Sequence, residues 1–232
     1  MGDLKVQCIC IKLCFRFGKT ESGINCSWAA LTDNAMVWTD RNAPAHKTAR
    51  RLNTILNNHL HLNNRYNTIN SNSLANELVK LKINSHHRLL TLDIKDLYVN
   101  VPIQETLNLT RTQLRIHDDK QTTHQIMTLL NITLRQNYFS FLGQIYQPDK
   151  GVAMGSPISG TMADVFLQQL ENSIIKHLID AKILSFYTRY VDDIFLIYDS
   201  TCTKPENILQ YIDTTHSSIQ LNPTMESTMS TS

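Results

Sequence analysis

The chain has 232 residues, 42% of them hydrophobic, enough for one or two domains with a packed core. Its formal charge of +2 is too small to mark a nucleic-acid binder by itself, and no stretch approaches the roughly 20 apolar residues of a membrane span. Four of five cysteines, Cys8, Cys10, Cys14 and Cys26, crowd the N-terminus without zinc-site spacing. With no recognisable signal peptide, a reduced intracellular chain of the nucleus or cytoplasm is expected.

Charge is unevenly spread. From Arg41 to Arg88 the only acid is Glu77, against eight Lys and Arg residues that include Arg41, Lys47, Arg50 and Arg51. Such a stretch suits contact with a polyanion.

Residues 1–33 form an irregular start without clear periodicity. From Ala45, Leu52, Ile55, Leu56 and Leu60 recur at helical spacing, with Pro44 at the entrance. An Asn-rich loop at 63–72 precedes a helix with Ser73 as N-cap and Leu74, Leu78 and Leu81 on one face. Leu89 to Asp93 reads as a short apolar strand ending in a carboxylate. Asn100 and Pro102 restart a helix carrying Ile103, Leu107 and Leu114, and another covers Gln125 to Gln136. "NYFSFLGQIYQ" reads as a hairpin around Gly143. A glycine loop then leads into a long helix, with Ser156 as N-cap, Pro157 as first residue, and Met162, Phe166, Leu170, Ile174 and Leu178 facing a core. "FYTRYVDDIFLIYDS" makes a second hairpin, and a helix at 205–214 leads to a polar tail at 227–232, expected to fray. The order implies an α+β fold, an antiparallel sheet with helices on one face.

Three features carry chemistry together. Asp93 ends a buried strand with Tyr98 five residues on; Gly155, Ser156 and Pro157 open a helix; Tyr190, Val191, Asp192 and Asp193 form a hairpin tip. Phosphoryl transfer with two divalent ions needs a few rigid carboxylates, since magnesium takes hard oxygen ligands and keeps several waters. Taken singly, each feature also fits an ordinary strand end, cap or turn.

Asp93 with Tyr98, then "GVAMGSPISG", then "YVDD" resembles the palm motif series of reverse transcriptases. "LLTLDIKDLYVNVPI", "FSFLGQIYQPDKGVAMGSP" and "RYVDDIF" are most similar to Penelope-like retroelements, over about Arg41 to Glu226. The resemblance implies a right-hand polymerase palm at 89–226 and partial fingers, helical and basic, at 34–88, with the thumb absent. It implies Asp93, Asp192 and Asp193 as catalytic acids holding two Mg2+ or Mn2+ ions, with the Ile94 carbonyl as a further ligand. Tyr98 would sit under the incoming sugar and reject a 2′-hydroxyl. Gly155, Ser156 and Pro157 would line the template–nucleotide pocket, and Tyr190 would shape the primer end. Arg41, Lys47, Arg50 and Arg51 would contact nucleic acid.

The implied activity is RNA-directed DNA synthesis on an RNA template and DNA primer from deoxynucleoside triphosphates, with a partner chain as a source of thumb or endonuclease. Departures from the family pattern are Ala35 and Met36 in place of an Arg-Pro pair, and Gly160 in place of Pro. They leave open a truncated, catalytically inactive remnant that at most binds nucleic acid. A metal-dependent nuclease or another palm polymerase could use the same acids.

Overall fold

The computed structural model of the chain describes residues 44–63, 65–136, 139–141, 144–146 and 150–228. Residues 1–43, with Arg41, Ala35 and Met36 and the four N-terminal cysteines, lie outside them, as does Gly143. In chain order the elements are α1 (Pro44–His59), α2 (Ser71–Leu78), β1 (His87–Ile94), α3 (Leu97–Asn100), α4 (Ile103–His117) and α5 (Lys120–Arg135). The short strands β2 (Phe139–Phe141) and β3 (Gln144–Tyr146) follow, then α6 (Ser159–Leu170), a π-helical turn (Glu171–Ile175) and α7 (Lys176–Asp180). Last come β4 (Leu184–Tyr190), β5 (Asp193–Asp199), α8 (Pro205–Thr215) and β6 (Leu221–Thr228). No helix among the described residues is long and apolar enough to cross a membrane.

These elements fall into two compact units. The first takes in 65–95 and the chain from Glu171 on, and contains a four-stranded antiparallel sheet in the order β4-β5-β1-β6. β1 and β5 run in register from His87 opposite Asp199 to Asp93 opposite Asp193. Leu89, Phe195 and Ile197 pack with Leu74 and Leu78 of α2, and the Phe186 and Phe195 rings meet edge to face at 6.0 Å. The opposite face of the two central strands carries Leu90, Leu92, Ile194 and Leu196, all buried. Because β5 is buried at five successive residues, the sheet is covered on both faces, where helices on one face were expected. α7 packs on β4 and α8 on β6.

The second unit holds α1, α3 to α6 and the β2–β3 hairpin. Leu52 and Leu56 of α1 and Leu60 just beyond it are buried, and α1 packs against α5 and α6. Thr161 on α6 donates to Asn53 Oδ1 at 2.6 Å, and His59 meets Asp118 at 2.8 Å.

Several boundaries differ from the sequence reading for identifiable reasons. Asn70, not Ser73, caps α2, its side chain accepting the Ser73 N–H at 2.9 Å. α5 begins five residues early because Asp119 accepts the Thr122 N–H and hydroxyl and the Gln121 N–H; those bonds hold its carboxyl below the usual carboxylate range. α6 starts at Ser159, so Ser156 and Pro157 occupy the preceding turn, where Ser156 accepts the Ser159 N–H. β6 was not anticipated, and residues 227 and 228 of the expected frayed tail belong to it. Its Pro223 sits where the β1–β6 register shifts, a bulge that tolerates a residue without an N–H.

Leu196 is fully buried at the centre of β5. Leu196→Ala will cost about 2–5 kcal/mol by urea unfolding, the range for a truncated core leucine; a loss below about 1 kcal/mol would contradict this packing.

Candidate active site

The acids come together at one end of the sheet. β1 runs apolar until Asp93, and antiparallel pairing sets Asp93 directly opposite Asp193, the first residue of β5. Opposed backbone positions stand about 4.5–5.5 Å apart at Cα, so these two carboxyl groups leave adjacent strands side by side. Asp192 lies in the adjoining turn, and its carbonyl accepts the Ile94 N–H at 2.9 Å. Asp93, Ile94, Tyr190, Asp192 and Asp193 all belong to the first unit.

The turn is tight. Tyr190 pairs with Asp193, leaving Val191 and Asp192 as a two-residue connection. Val191 has φ of +57°, while Asp192 is not among the positive-φ residues. That is the sign pattern of a type II′ hairpin, whose first position normally takes glycine. A β-branched residue held there costs about 1–3 kcal/mol and persists only where its surroundings fix it.

Arg189 supplies much of that fixing. It is 1% exposed; its Nε donates to Glu171 Oε1 at 2.7 Å, and its Nη1 donates to the Val191 carbonyl at 2.9 Å. Tyr187 donates to the same Glu171 oxygen at 3.1 Å. Burial pushes the Tyr187 hydroxyl well above the usual phenol range, with the Glu171 charge adding to the effect, so Tyr187 remains a donor. On the outer side of β4, Arg189 N–H bonds to the Tyr66 carbonyl and Thr68 N–H to the Arg189 carbonyl, forming a short parallel bridge. The sequence reading missed Arg189 and Glu171. The signal available was two oppositely charged residues inside otherwise apolar segments.

Tyr98, Gly155, Ser156 and Pro157 belong to the second unit. Tyr98 lies in α3, and its carbonyl accepts the Val152 N–H at 2.8 Å. Gly151, also missed, has φ of +76°, and a Cβ there would stand 2.6 Å from the Tyr98 carbonyl oxygen and closer still to that of Val99. Only glycine lets this loop lie on the α3 backbone. Gly155 likewise has positive φ, +85°. Lys47, Arg50 and Arg51 are exposed along α1, with Arg50 Nη2 3.3 Å from His46 Nε2.

Carboxylate and carbonyl oxygens are the donors that Mg2+ or Mn2+ prefers. Among the described residues no group of three or more His, Cys, Asp or Glu side chains is placed to hold a metal ion. The opposed pair Asp93 and Asp193 offers the hard oxygen donors taken by an ion that keeps several waters, and does not fit a structural site such as zinc.

The family described as reverse transcriptase (RNA-dependent DNA polymerase) matches residues 44–225. A search of curated proteins finds no match. The fold is similar to telomerase from Candida albicans in complex with a fragment of telomeric RNA, with TM-score 0.57 and 14% identity over 82% of this chain and 35% of that one. It is similar to apo telomerase from Candida tropicalis truncated from its C-terminal domain, with TM-score 0.55 and 15% identity over 83% of this chain and 42% of that one. It also resembles the BmCPV RNA-dependent RNA polymerase at its elongation state, with TM-score 0.51 and 13% identity over 79% of this chain and 18% of that one. The chain thus spans less than half the length of each of these polymerases, whose likeness shows the palm fold.

Arg189→Met leaves the Glu171 carboxylate buried without its cation and will cost about 3–5 kcal/mol in urea unfolding. Adding Glu171→Leu will recover part of that loss, because a buried pair replaced by apolar groups is close to neutral, while the buried Tyr187 hydroxyl loses its acceptor. Parent-like stability in the single variant would refute the burial of this pair.

Proposed function

The chain belongs to the reverse transcriptase (RNA-dependent DNA polymerase) family, and on that premise we propose that it is an RNA-directed DNA polymerase domain of a Penelope-like retroelement. The observation that carries this reading is the pairing of Asp93 with Asp193, with Asp192 in the turn beside them. The palm is assigned to 89–226 and part of the fingers to 34–88.

Asp93, Asp192 and Asp193, with the Ile94 carbonyl, are the groups that would hold two divalent ions. When bound, such ions activate a primer 3′-hydroxyl and hold the leaving phosphates of a nucleoside triphosphate. The sheet's task is to keep the three carboxylates at fixed separation, which in-register pairing and the tight turn both serve. Tyr98 is assigned to the sugar of the incoming nucleotide, where an aromatic ring excludes the 2′-hydroxyl that distinguishes RNA from DNA. Gly155, Ser156 and Pro157 are assigned to the template–nucleotide pocket and Tyr190 to the primer end. Lys47, Arg50 and Arg51, with Arg41, are assigned to phosphate contacts, which position a strand without reading its sequence. A partner chain supplying thumb or endonuclease functions is part of the same proposal.

Primer extension tests it, with an RNA template, a DNA primer, deoxynucleotides and Mg2+ or Mn2+. The parent will extend the primer and Asp192→Ala will not. The fold survives that change because Ile94 bonds to the Asp192 backbone carbonyl, which alanine retains. Tyr98→Ala will incorporate ribonucleotides that the parent rejects. A folded parent that never extends, or an undiminished Asp192→Ala, would overturn the assignment.

A further inference from the structure

A groove of about 600 Å³ runs between α4 and α5, wholly within the second unit and using none of the residues assigned above. From this groove we infer a binding site for the phosphodiester backbone of single-stranded nucleic acid.

Arg111 and Arg115 line one wall; Lys120, His124 and Arg135 line the other, and no carboxylate is among the lining residues. All five are exposed. Arg135 is steadied by Asn131, its Nε donating to Oδ1 at 3.0 Å. Arg111, Arg115 and Lys120 have no ion-pair partner among the described residues. The nearest acids in sequence are already engaged: Asp118 with His59, and Asp119 with the first N–H groups of α5.

Helix stability does not account for this arrangement. Like charges four residues apart, as at Arg111 and Arg115, destabilise a helix by a few tenths of a kcal/mol. The α4 dipole favours Arg115 in its last turn, but Lys120 opens α5, where a cation opposes the dipole. A polyanion lying between the walls offsets both penalties.

The shape selects the class of ligand. The groove follows α5 from Lys120 to Arg135, about 22 Å at 1.5 Å per residue. A single strand can follow a cleft between two packed helices, whereas a duplex would touch only its rims. Ile132, 47% exposed, also lines the groove and gives sugars and bases apolar contact. Cations with a little apolar surface favour backbone binding without sequence preference.

The test is fluorescence anisotropy of the full chain with short labelled single-stranded RNA and, separately, DNA of the same sequence. Both arms use EDTA and no nucleotides, so a chain that fails to polymerise still reports on the groove. Arg111→Gln/Arg115→Gln keeps good helix formers at exposed positions. Its plot of log affinity against log salt will be shallower by about 1.4, two phosphates at about 0.7 each, with affinity lower on the order of tenfold at low salt. Lys80→Ala/Lys82→Ala removes the same charge from exposed positions in the first unit and will bind like the parent. Parent-like binding by the groove variant, an equal loss in the lysine control, or polyglutamate competing as well as RNA per charge would each overturn the inference.

Discussion

The buried ion pair of Arg189 and Glu171 is the constraint on which the acidic hairpin depends. A guanidinium that is 1% exposed must have its charge met where it lies, and Glu171 meets it at 2.7 Å. Another N–H of the same rigid group reaches the Val191 carbonyl. One edge of the guanidinium therefore answers a charge in the interior while another holds a turn at the sheet end. Lysine has no planar fork with which to do both.

That division explains how the hairpin tolerates valine where glycine is the easy choice. The strained residue is bracketed by the Tyr190–Asp193 pair, the Arg189 clamp on its carbonyl and the Ile94 N–H on the next one. A turn so bounded leaves Asp192 and Asp193 little freedom, and chemistry on phosphates depends on carboxylates held to within a fraction of an ångström. In the second unit Gly151 plays the complementary part, its missing side chain letting the loop rest on the backbone around Tyr98.

Much of this was legible in the sequence. The Leu89–Asp93 strand, the 186–200 hairpin and the leucine stripe of α1 announce themselves through periodicity, and the carboxylates stand where strands end. What stayed hidden depends on contacts remote in the chain. Glu171 stands three residues before Ile174 of the core stripe, yet a carboxylate read singly looks solvated, and its partner Arg189 is 18 residues further on. β6 was illegible because an outer strand needs only backbone pairing, which polar residues and a proline at a bulge can provide. The groove between α4 and α5 was lost because its cations, read singly, look like solvated helix faces.

The buried pair serves the turn and not stability alone. Mn2+ binding followed by electron paramagnetic resonance separates the two in Arg189→Met/Glu171→Leu, where the interior charge is gone but the Val191 carbonyl has lost its donor. Affinity in that variant will be at least about tenfold weaker than in the parent, a difference of about 1.4 kcal/mol, and will recover when Val191→Gly is added, since glycine takes positive φ without a clamp. Parent-like affinity in the folded double variant would contradict it.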